Sequence, residues 1–320
     1  MTLFSLPAGQ KQATWVPLAP RSGGGQWQLP LLIIQGARPG PTLAVSAGVH
    51  GDEYEGIAAI RTLYDGLAPN QLSGRLLMIP VCNGPAFEAG TRNSPVDGLN
   101  LARVFPGDSG GTLTQRIAAW MHHHFLPEAD FYIDLHSGGV AYDIPTLIGY
   151  GVGDDALGQA SRTAAEAFGA PVLWGHPLPH PPGRTISSAT ALGIPSLYTE
   201  APGGGFARPA DVACFGRGVQ NVMRHLGILP GAIEKAAVTH DLLGSGDLDR
   251  VLAAPAGGFF QPEVSLLDEV KAGDQLGTIY DLLGQPLATL QAEQSGIVIM
   301  LRRLQRVQAG DGLVHLTNRR

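Results

Sequence analysis

The chain has 320 residues, 44% hydrophobic and 15% charged, with a formal net charge of −6. That is the composition of a soluble globular protein of one large or two unequal domains, and no long basic run offers a nucleic-acid surface. No apolar stretch approaches the ~20 residues needed to span a bilayer. The N-terminal MTLFSLPAGQKQATW lacks a charged segment followed by a long apolar core. Two cysteines, Cys82 and Cys214, are too few for a disulfide framework. A cytoplasmic location is therefore the default expectation.

The first two thirds of the chain alternate between strand and helix patterns. Leu29–Gln35 and Thr42–Val49 are apolar runs separated by GARPGP, and both predict buried strands. Ile57, Ile60, Tyr64 and Leu67 fall on one face of a helix. Arg75–Val81 predicts another buried strand, and Leu113, Ile117, Trp120 and Met121 mark a second helix. Phe131–Leu135 is a strand that ends directly at His136. Residues 156–168 are Ala-rich and helical, and Ile194–Thr199 is a strand ending at Glu200. Asp211 is placed to cap a last helix through Leu226, with Gly227 as its stop. The alternation predicts an α/β fold: a mixed, largely parallel sheet with helices on both faces.

In such sheets ligands bind beyond the carboxyl ends of the strands. His50, His136 and Glu200 each follow a predicted strand directly. GVHGDEYEG sets His50 and Glu53 three residues apart in a turn opening a helix, and DLHSGG supplies His136. Two imidazoles and one carboxylate form the ligand set of a catalytic zinc that keeps one position open for water. The competing reading is a pair of hydrogen-bonded core histidines. Asp134, two residues before His136, is either an acceptor that fixes the His136 ring or a plain strand-end aspartate.

An attacking water needs a proton acceptor that later returns the proton to the leaving group. Glu200, in LYTEAPGGG, is the candidate, against the alternative of an exposed loop glutamate. The loop CNGPAFEAGTRNSPVDGLNLARVFPG is too long and polar to be simple structure, and it carries Arg92 and Arg103. A fixed cation stabilises a tetrahedral oxyanion, and a second can clamp a carboxylate. Two surface arginines would look the same in the sequence. His122, His123 and His124 fan around a helix and cannot meet one ion, so they read as mostly exposed. His176 and His180, in WGHPLPHPPGR, read as part of a rigid surface loop, with the site entrance as the alternative.

After about residue 230 the pattern changes to short strands and turns. DEVKAGDQLG and QRVQAGDGLV look like two versions of one unit, each with a turn on Ala-Gly-Asp. The expected division is a catalytic domain over 1–232 and a small all-β domain over 233–320. The latter resembles the biotinyl/lipoyl-like hammerhead domain. Its hairpin around Ser295–Gly296 has no modifiable lysine beside a methionine, which leaves a structural role.

Taken together, HGDE, the TR…NLxR-x-FPG loop, DLHSG and the TEAPGG glutamate resemble the succinylglutamate desuccinylase/aspartoacylase family, deacylase relatives of the zinc carboxypeptidases. The resemblance covers roughly residues 28–226. It implies that His50, Glu53 and His136 bind one Zn²⁺ per chain and that Glu200 is general base and then acid. It implies that Arg92 polarises the scissile carbonyl and Arg103 binds a substrate carboxylate. One departure stands out: Ala102 precedes Arg103 where the family commonly has asparagine. Asn100, two residues earlier, is the substrate-binding substitute to examine. The expected activity is hydrolysis of the amide of a small N-acyl amino acid or related compound. The alternatives are a metallocarboxypeptidase acting on peptides or cell-wall fragments, and a non-catalytic binding protein. The expected partner is a small molecule bearing a carboxylate, with neither nucleic acid nor membrane. A symmetric homo-oligomer is compatible with this class.

Overall fold

A computed structural model describes residues 3–247 and 251–320. In chain order its elements are β1 (Gln10–Pro20), β2 (Gln26–Gln35), β3 (Arg38–Ala47), α1 (Glu55–Gly66), β4 (Ser73–Ile79), α2 (Gly84–Ala89) and α3 (Leu113–Trp120). They continue with β5 (Phe131–Leu135), β6 (Tyr142–Asp143), β7 (Leu147–Val152), α4 (Ala156–Phe168), β8 (Val172–Pro177), α5 (Thr185–Ala191), β9 (Ser196–Glu200), α6 (Pro209–His225) and β10 (His240–Leu243). The rest is β11 (Leu252–Ala253), β12 (Gly258–Pro262), β13 (Glu269–Val270), β14 (Gln275–Tyr280), β15 (Pro286–Gln291), β16 (Gly296–Arg302), β17 (Arg306–Val307) and β18 (Gly312–Arg319). Among the described residues, no helix is long and apolar enough to cross a membrane.

The main sheet runs β1-β2-β4-β3-β5-β9-β7-β8-β10-β18-β16-β13. Its centre is parallel: β4 with β3, β3 with β5, and β5 with β9. Central strands buried on both faces need apolar residues at successive positions, and side chains alternate between faces. Leu43, Val45 and Ala47 pack with Ala59, Ile60 and Leu63 of α1, with Ala164 and Phe168 of α4, and with Phe215 and Val219 of α6. Ala44, Leu77, Ile79 and Tyr132 face the other way, toward Ile117 of α3, Met121, Phe125 and Ala189 of α5. The sheet is therefore mixed, largely parallel at its centre and covered by helices on both faces, as the sequence pattern predicts.

Local details differ from expectation. In α1 the fully buried positions are Glu55, Gly56, Ala59, Ile60 and Leu63, while Ile57 and Tyr64 are partly buried beside the core. The inward face is thus rotated toward the small residues, because Gly56 sits against Leu135 where a Cβ would approach to 2.6 Å. Asp211 does not cap α6. Arg208 occupies that position, and Asp211 lies in the first turn, accepting from Arg208 Nε at 2.6 Å and Thr146 Oγ1 at 2.7 Å. A carboxylate there still complements the helix dipole. The long loop after β4 is not structureless: it holds α2 and a 3-10 turn at Leu101–Arg103.

The two Ala-Gly-Asp turns are built alike. Asp274 accepts from Lys271 N at 2.8 Å, and Asp311 accepts from Gln308 N at 3.0 Å. Gly273 and Gly310 carry the positive φ that each turn requires (91° and 90°). A separate antiparallel sheet, β15-β14-β12-β17, belongs to this C-terminal region. The region is also tied into the main sheet, since β10 pairs parallel with β8 and antiparallel with β18. Leu147, Val172, Trp174 and Leu242 form one core cluster with Ile297, Ile299 and Met300. Buried Trp174 donates its indole N–H to Thr317 Oγ1 of β18 at 2.9 Å.

Replacing Thr317 with valine strands that indole N–H in an apolar seam. The expected loss is about 1–3 kcal/mol of unfolding free energy, read from chemical denaturation. An unshifted midpoint would show that the contact contributes nothing to holding β18 in place.

Candidate active site

The parallel centre of the sheet aims three chain segments at one edge. Past the end of β3 the chain turns at Gly48, which adopts φ 60° with Val81 packed close behind it. His50, Gly51, Asp52 and Glu53 follow as a turn ahead of α1. Gly51 is pressed against α2, where a Cβ would lie 2.0 Å from the Ala86 carbonyl carbon. Only glycine allows this approach, and the approach sets where His50 and Glu53 point. His136 directly follows β5, and Glu200 ends β9.

His50, Glu53 and His136 each offer a ligand atom within 4.8 Å of the others. Glu53 is only 3% exposed. Its Oε1 meets His50 Nδ1 at 2.7 Å and Arg92 Nη1 at 3.1 Å. Its Oε2 meets His136 Nδ1 at 2.8 Å and the Ser137 N–H at 3.2 Å. The outer ring nitrogens are held in parallel fashion. His50 Nε2 lies 3.0 Å from Asn100 Oδ1, and His136 Nε2 lies 2.9 Å from Asp134 Oδ2. The Ala102 N–H donates to Asn100 Oδ1 at 2.9 Å, which identifies that atom as the oxygen. Asp134, fully buried, is fixed by Ser46 Oγ at 2.6 Å and by Thr185 Oγ1. Asn100 is thus directed at His50 and the Ala102 backbone, and is not itself among the residues that line the cavity.

This geometry tests whether a metal fits. Both nitrogens of His50 face oxygens that only accept. Satisfying both would require an imidazolium, yet burial, and after it Arg92, pushes the His50 pKa down to about 4. A neutral ring donates Nε2–H to Asn100 and turns its Nδ1 lone pair on a carboxylate oxygen. A divalent cation between those atoms removes the conflict, and two imidazoles with a carboxylate are a donor set suited to zinc. Burial alone would raise the Glu53 carboxyl, but the two imidazoles overcome it and hold Glu53 low. Burial also works against a charged His136, and Asp134 and Glu53 reverse that, raising it well above the ordinary imidazole value. A cation held by His136 Nδ1 would take the place of a proton at that nitrogen.

A cavity of about 470 Å³ opens beside the cluster. His50, Arg92, Ala102, Arg103, His136 and Glu200 all line it. Glu200 Oε2 is buried with no hydrogen-bond partner among the described residues. Burial first, and the Glu53 charge second, push its pKa up to about 8. A cation at the cluster would oppose that rise and bring Glu200 toward the value of a general base. Arg103 donates Nη1 to the Ala102 carbonyl at 2.9 Å. Ala102 presents a methyl group to the cavity where an asparagine would present an amide.

For His176 and His180 the structure overturns the surface-loop expectation and favours its alternative, a place at the cavity. His176 and His180 are 3% and 8% exposed and line the cavity, so they do not sit on a surface loop. His176 belongs to β8, whose apolar run Val172–Trp174 leads into His176 much as Phe131–Leu135 leads into His136. That repeated strand-then-histidine pattern was the available signal. Tyr198, Arg184 and the segment Ser245–Asp247 complete the wall. His122 is half-buried against Ser188, and His123 and His124 are exposed, as their helical spacing predicts.

The model of the succinylglutamate desuccinylase/aspartoacylase catalytic domain matches residues 39–226. The chain belongs to this family. Family members are similar to it over nearly its full length. The N-alpha-acetyl-L-2,4-diaminobutyric acid deacetylase of Halomonas elongata is 31% identical over 311 residues, covering 96% of this chain and 88% of that protein. A succinylglutamate desuccinylase/aspartoacylase structure from Rhodobacter sphaeroides superposes with a TM-score of 0.88 at 33% identity, covering 99% and 98% of the two chains. The product-bound ectoine utilization protein EutE (DoeB) of Ruegeria pomeroyi superposes at 0.89 with 30% identity, covering 98% of each.

Asp134→Ala and Asn100→Ala each remove the oxygen that orients one imidazole of the cluster. Each is expected to weaken zinc binding by roughly 10–100-fold in a chelator competition. Wild-type affinity in both variants would contradict the orienting role.

Proposed function

We propose that this protein is a zinc-dependent deacylase that hydrolyses the amide bond of a small N-acyl amino acid. The observation that carries the reading is the His50–Glu53–His136 cluster, in which both His50 nitrogens face acceptor oxygens, beside Glu200 with its buried, unpartnered Oε2 in one cavity. The names of the Halomonas elongata relative and of the Rhodobacter sphaeroides structure support the same class.

His50 Nδ1, His136 Nδ1 and the Glu53 carboxylate would hold the ion. Zn²⁺ bound there supplies a Lewis acid that polarises a carbonyl and makes water more acidic. The protein's own groups do the rest. Glu200 takes a proton from the attacking water and returns it to the departing nitrogen, so that amide and water become carboxylic acid and amine. Arg92, already at the cluster edge through Glu53, is positioned to offer a guanidinium to the oxyanion. Arg103 supplies a second cation in the same cavity for a substrate carboxylate. With Ala102 beside it, that recognition rests on the guanidinium without a neighbouring side-chain amide.

A carboxypeptidase would use similar groups but must admit a peptide chain. Here the prolines Pro177, Pro179, Pro181 and Pro182 and the segment Ser245–Asp247 wall the cavity. Its volume, about 470 Å³, is that of a small-ligand site. These features favour the small N-acyl substrate.

Glu200→Gln is expected to keep its zinc and to lose roughly 10²–10⁴-fold in turnover of the best N-acyl amino acid. Near-normal turnover would take Glu200 out of the mechanism. His136→Ala is expected to lose tight zinc and activity together, as read by metal analysis after gel filtration. Full occupancy in that variant would mean the ligand assignment is wrong.

A further inference from the structure

Glu200 is followed by Ala201, Pro202 and three glycines, Gly203, Gly204 and Gly205, all at positive φ (65°, 94° and 78°). Glycine takes up such angles without steric penalty and takes up many others as readily. The segment that carries Glu200 therefore keeps its path through what touches it, not through its own backbone preferences.

One set of contacts comes from the segment that leaves His136. Gly138 N–H donates to the Ala201 carbonyl at 2.8 Å, and Gly204 N–H donates to the Gly139 carbonyl at 2.7 Å. A Cβ on Gly203 would lie 2.4 Å from that same Gly139 oxygen, so the two segments are in close backbone contact. The His136 segment is itself tied to the turn that holds Glu53. Ser137 N–H donates to Glu53 Oε2 at 3.2 Å, and Val140 N–H donates to Asp52 Oδ2 at 3.0 Å. Glu200 is thus placed against the cluster by a short chain of backbone hydrogen bonds between glycine-rich segments.

The second set comes from the C-terminal region. β16 pairs with β6, Leu301 with Asp143 and Arg302 with Tyr142. Just past that pairing, Arg303 N–H donates to the Ala141 carbonyl at 2.8 Å. The Arg303 side chain then crosses to the other segment. Its Nη2 donates to the Pro202 carbonyl at 3.1 Å and meets Asp143 Oδ1 at 3.0 Å. A Cβ on Gly204 would lie 3.4 Å from its Nη1. One residue therefore grips both segments, with its main chain on the one after His136 and its guanidinium on the one after Glu200. A half-exposed ion pair such as Arg303–Asp143 adds little to global stability. Its local effect is different, because Pro202 is only two residues from Glu200.

We propose that Arg303 is a positioning residue for Glu200: it locks the segment after Glu200 onto the segment after His136 and so fixes where the base stands relative to the cluster. The C-terminal region then serves the reaction from outside the cavity. The catalytic consequence rests on the deacylase reading; the brace itself does not.

The test uses the zinc-loaded full chain and its best N-acyl amino acid. Arg303→Met is expected to lower kcat by roughly 10–100-fold, the effect of a small misplacement of a catalytic group, with KM and zinc content unchanged. Arg303→Lys, which keeps a cation for Asp143 and a donor for Pro202, is expected to recover part of the loss. In a Glu200→Gln background Arg303→Met is expected to have no further effect, because groups that act as a unit are not additive. An unchanged kcat, or the same loss in both backgrounds, overturns the positioning role and leaves Glu200 as the base. Hydrogen exchange reads the brace without turnover. The amides of Gly138 and Gly204 are expected to exchange about tenfold faster in Arg303→Met, the loss of one hydrogen bond from a charged donor, while those of β3 and β5 keep their rates. Equal rates at Gly138 and Gly204 overturn it. Should Arg303→Met fail to fold, Asp143→Asn removes the charge that aims the guanidinium, and the same non-additivity and faster exchange are expected of it. Silence of the unaltered, zinc-loaded chain on every N-acyl amino acid would count against the deacylase reading, and the exchange comparison would still decide the brace.

Discussion

Everything at this site depends on a carboxylate that the fold has taken out of water. Glu53 sits at the carboxyl edge of the sheet with almost no exposure, and an isolated charge there would cost several kcal/mol. Four groups face it: two imidazoles, a guanidinium and a backbone N–H. The imidazoles are in turn braced by Asn100 and Asp134, and Asp134 by Ser46 and Thr185. These oxygens converge on rings that burial resists charging. With His50 neutral, its inner nitrogen and a carboxylate oxygen face each other lone pair to lone pair, a mismatch that a divalent cation would remove.

The scaffold explains why the parts meet. β3, β5 and β9 are adjacent and parallel, so the residues that follow or end them arrive at the same edge. Close backbone packing at Gly51 and Gly56 holds the turn between β3 and α1 flat against its neighbours. A side chain at either position would displace Glu53, the residue on which the cluster is centred. The C-terminal region contributes more than ballast. Through β10 and β18 it extends the main sheet, and Ser245–Asp247 closes one side of the cavity.

Much of this could be read from the sequence. Apolar runs that end in His136 or Glu200 announce both a buried strand and the polar side chains that meet beyond it, because a parallel sheet is apolar on both faces and brings its strand ends to one edge. The inward face of α1 was harder to read. Small residues packed against Leu135 and Ala47 carry no hydrophobic signal, whereas Ile57 and Tyr64 at its margin do. His176 and His180 were obscured by the prolines around them, which suggest a surface loop when they in fact stiffen a cavity wall. The part played by Ser245–Asp247 depends on a contact across the fold that no local pattern encodes. The role of Asn100 was also hidden. Its spacing suggests a substitute for the asparagine absent at position 102, while its oxygen is engaged by His50 and the Ala102 backbone.

The central claim is that one zinc ion in the His50–Glu53–His136 cluster drives hydrolysis of an N-acyl amino acid. Its most direct test is a zinc titration of chelator-stripped protein, with rates followed on N-acetyl, N-succinyl and N-formyl amino acids and on dipeptides. The account predicts activity on an N-acyl amino acid that is absent without metal and saturates at one equivalent of Zn²⁺. Hydrolysis that is indifferent to metal, or confined to the dipeptides, would contradict it.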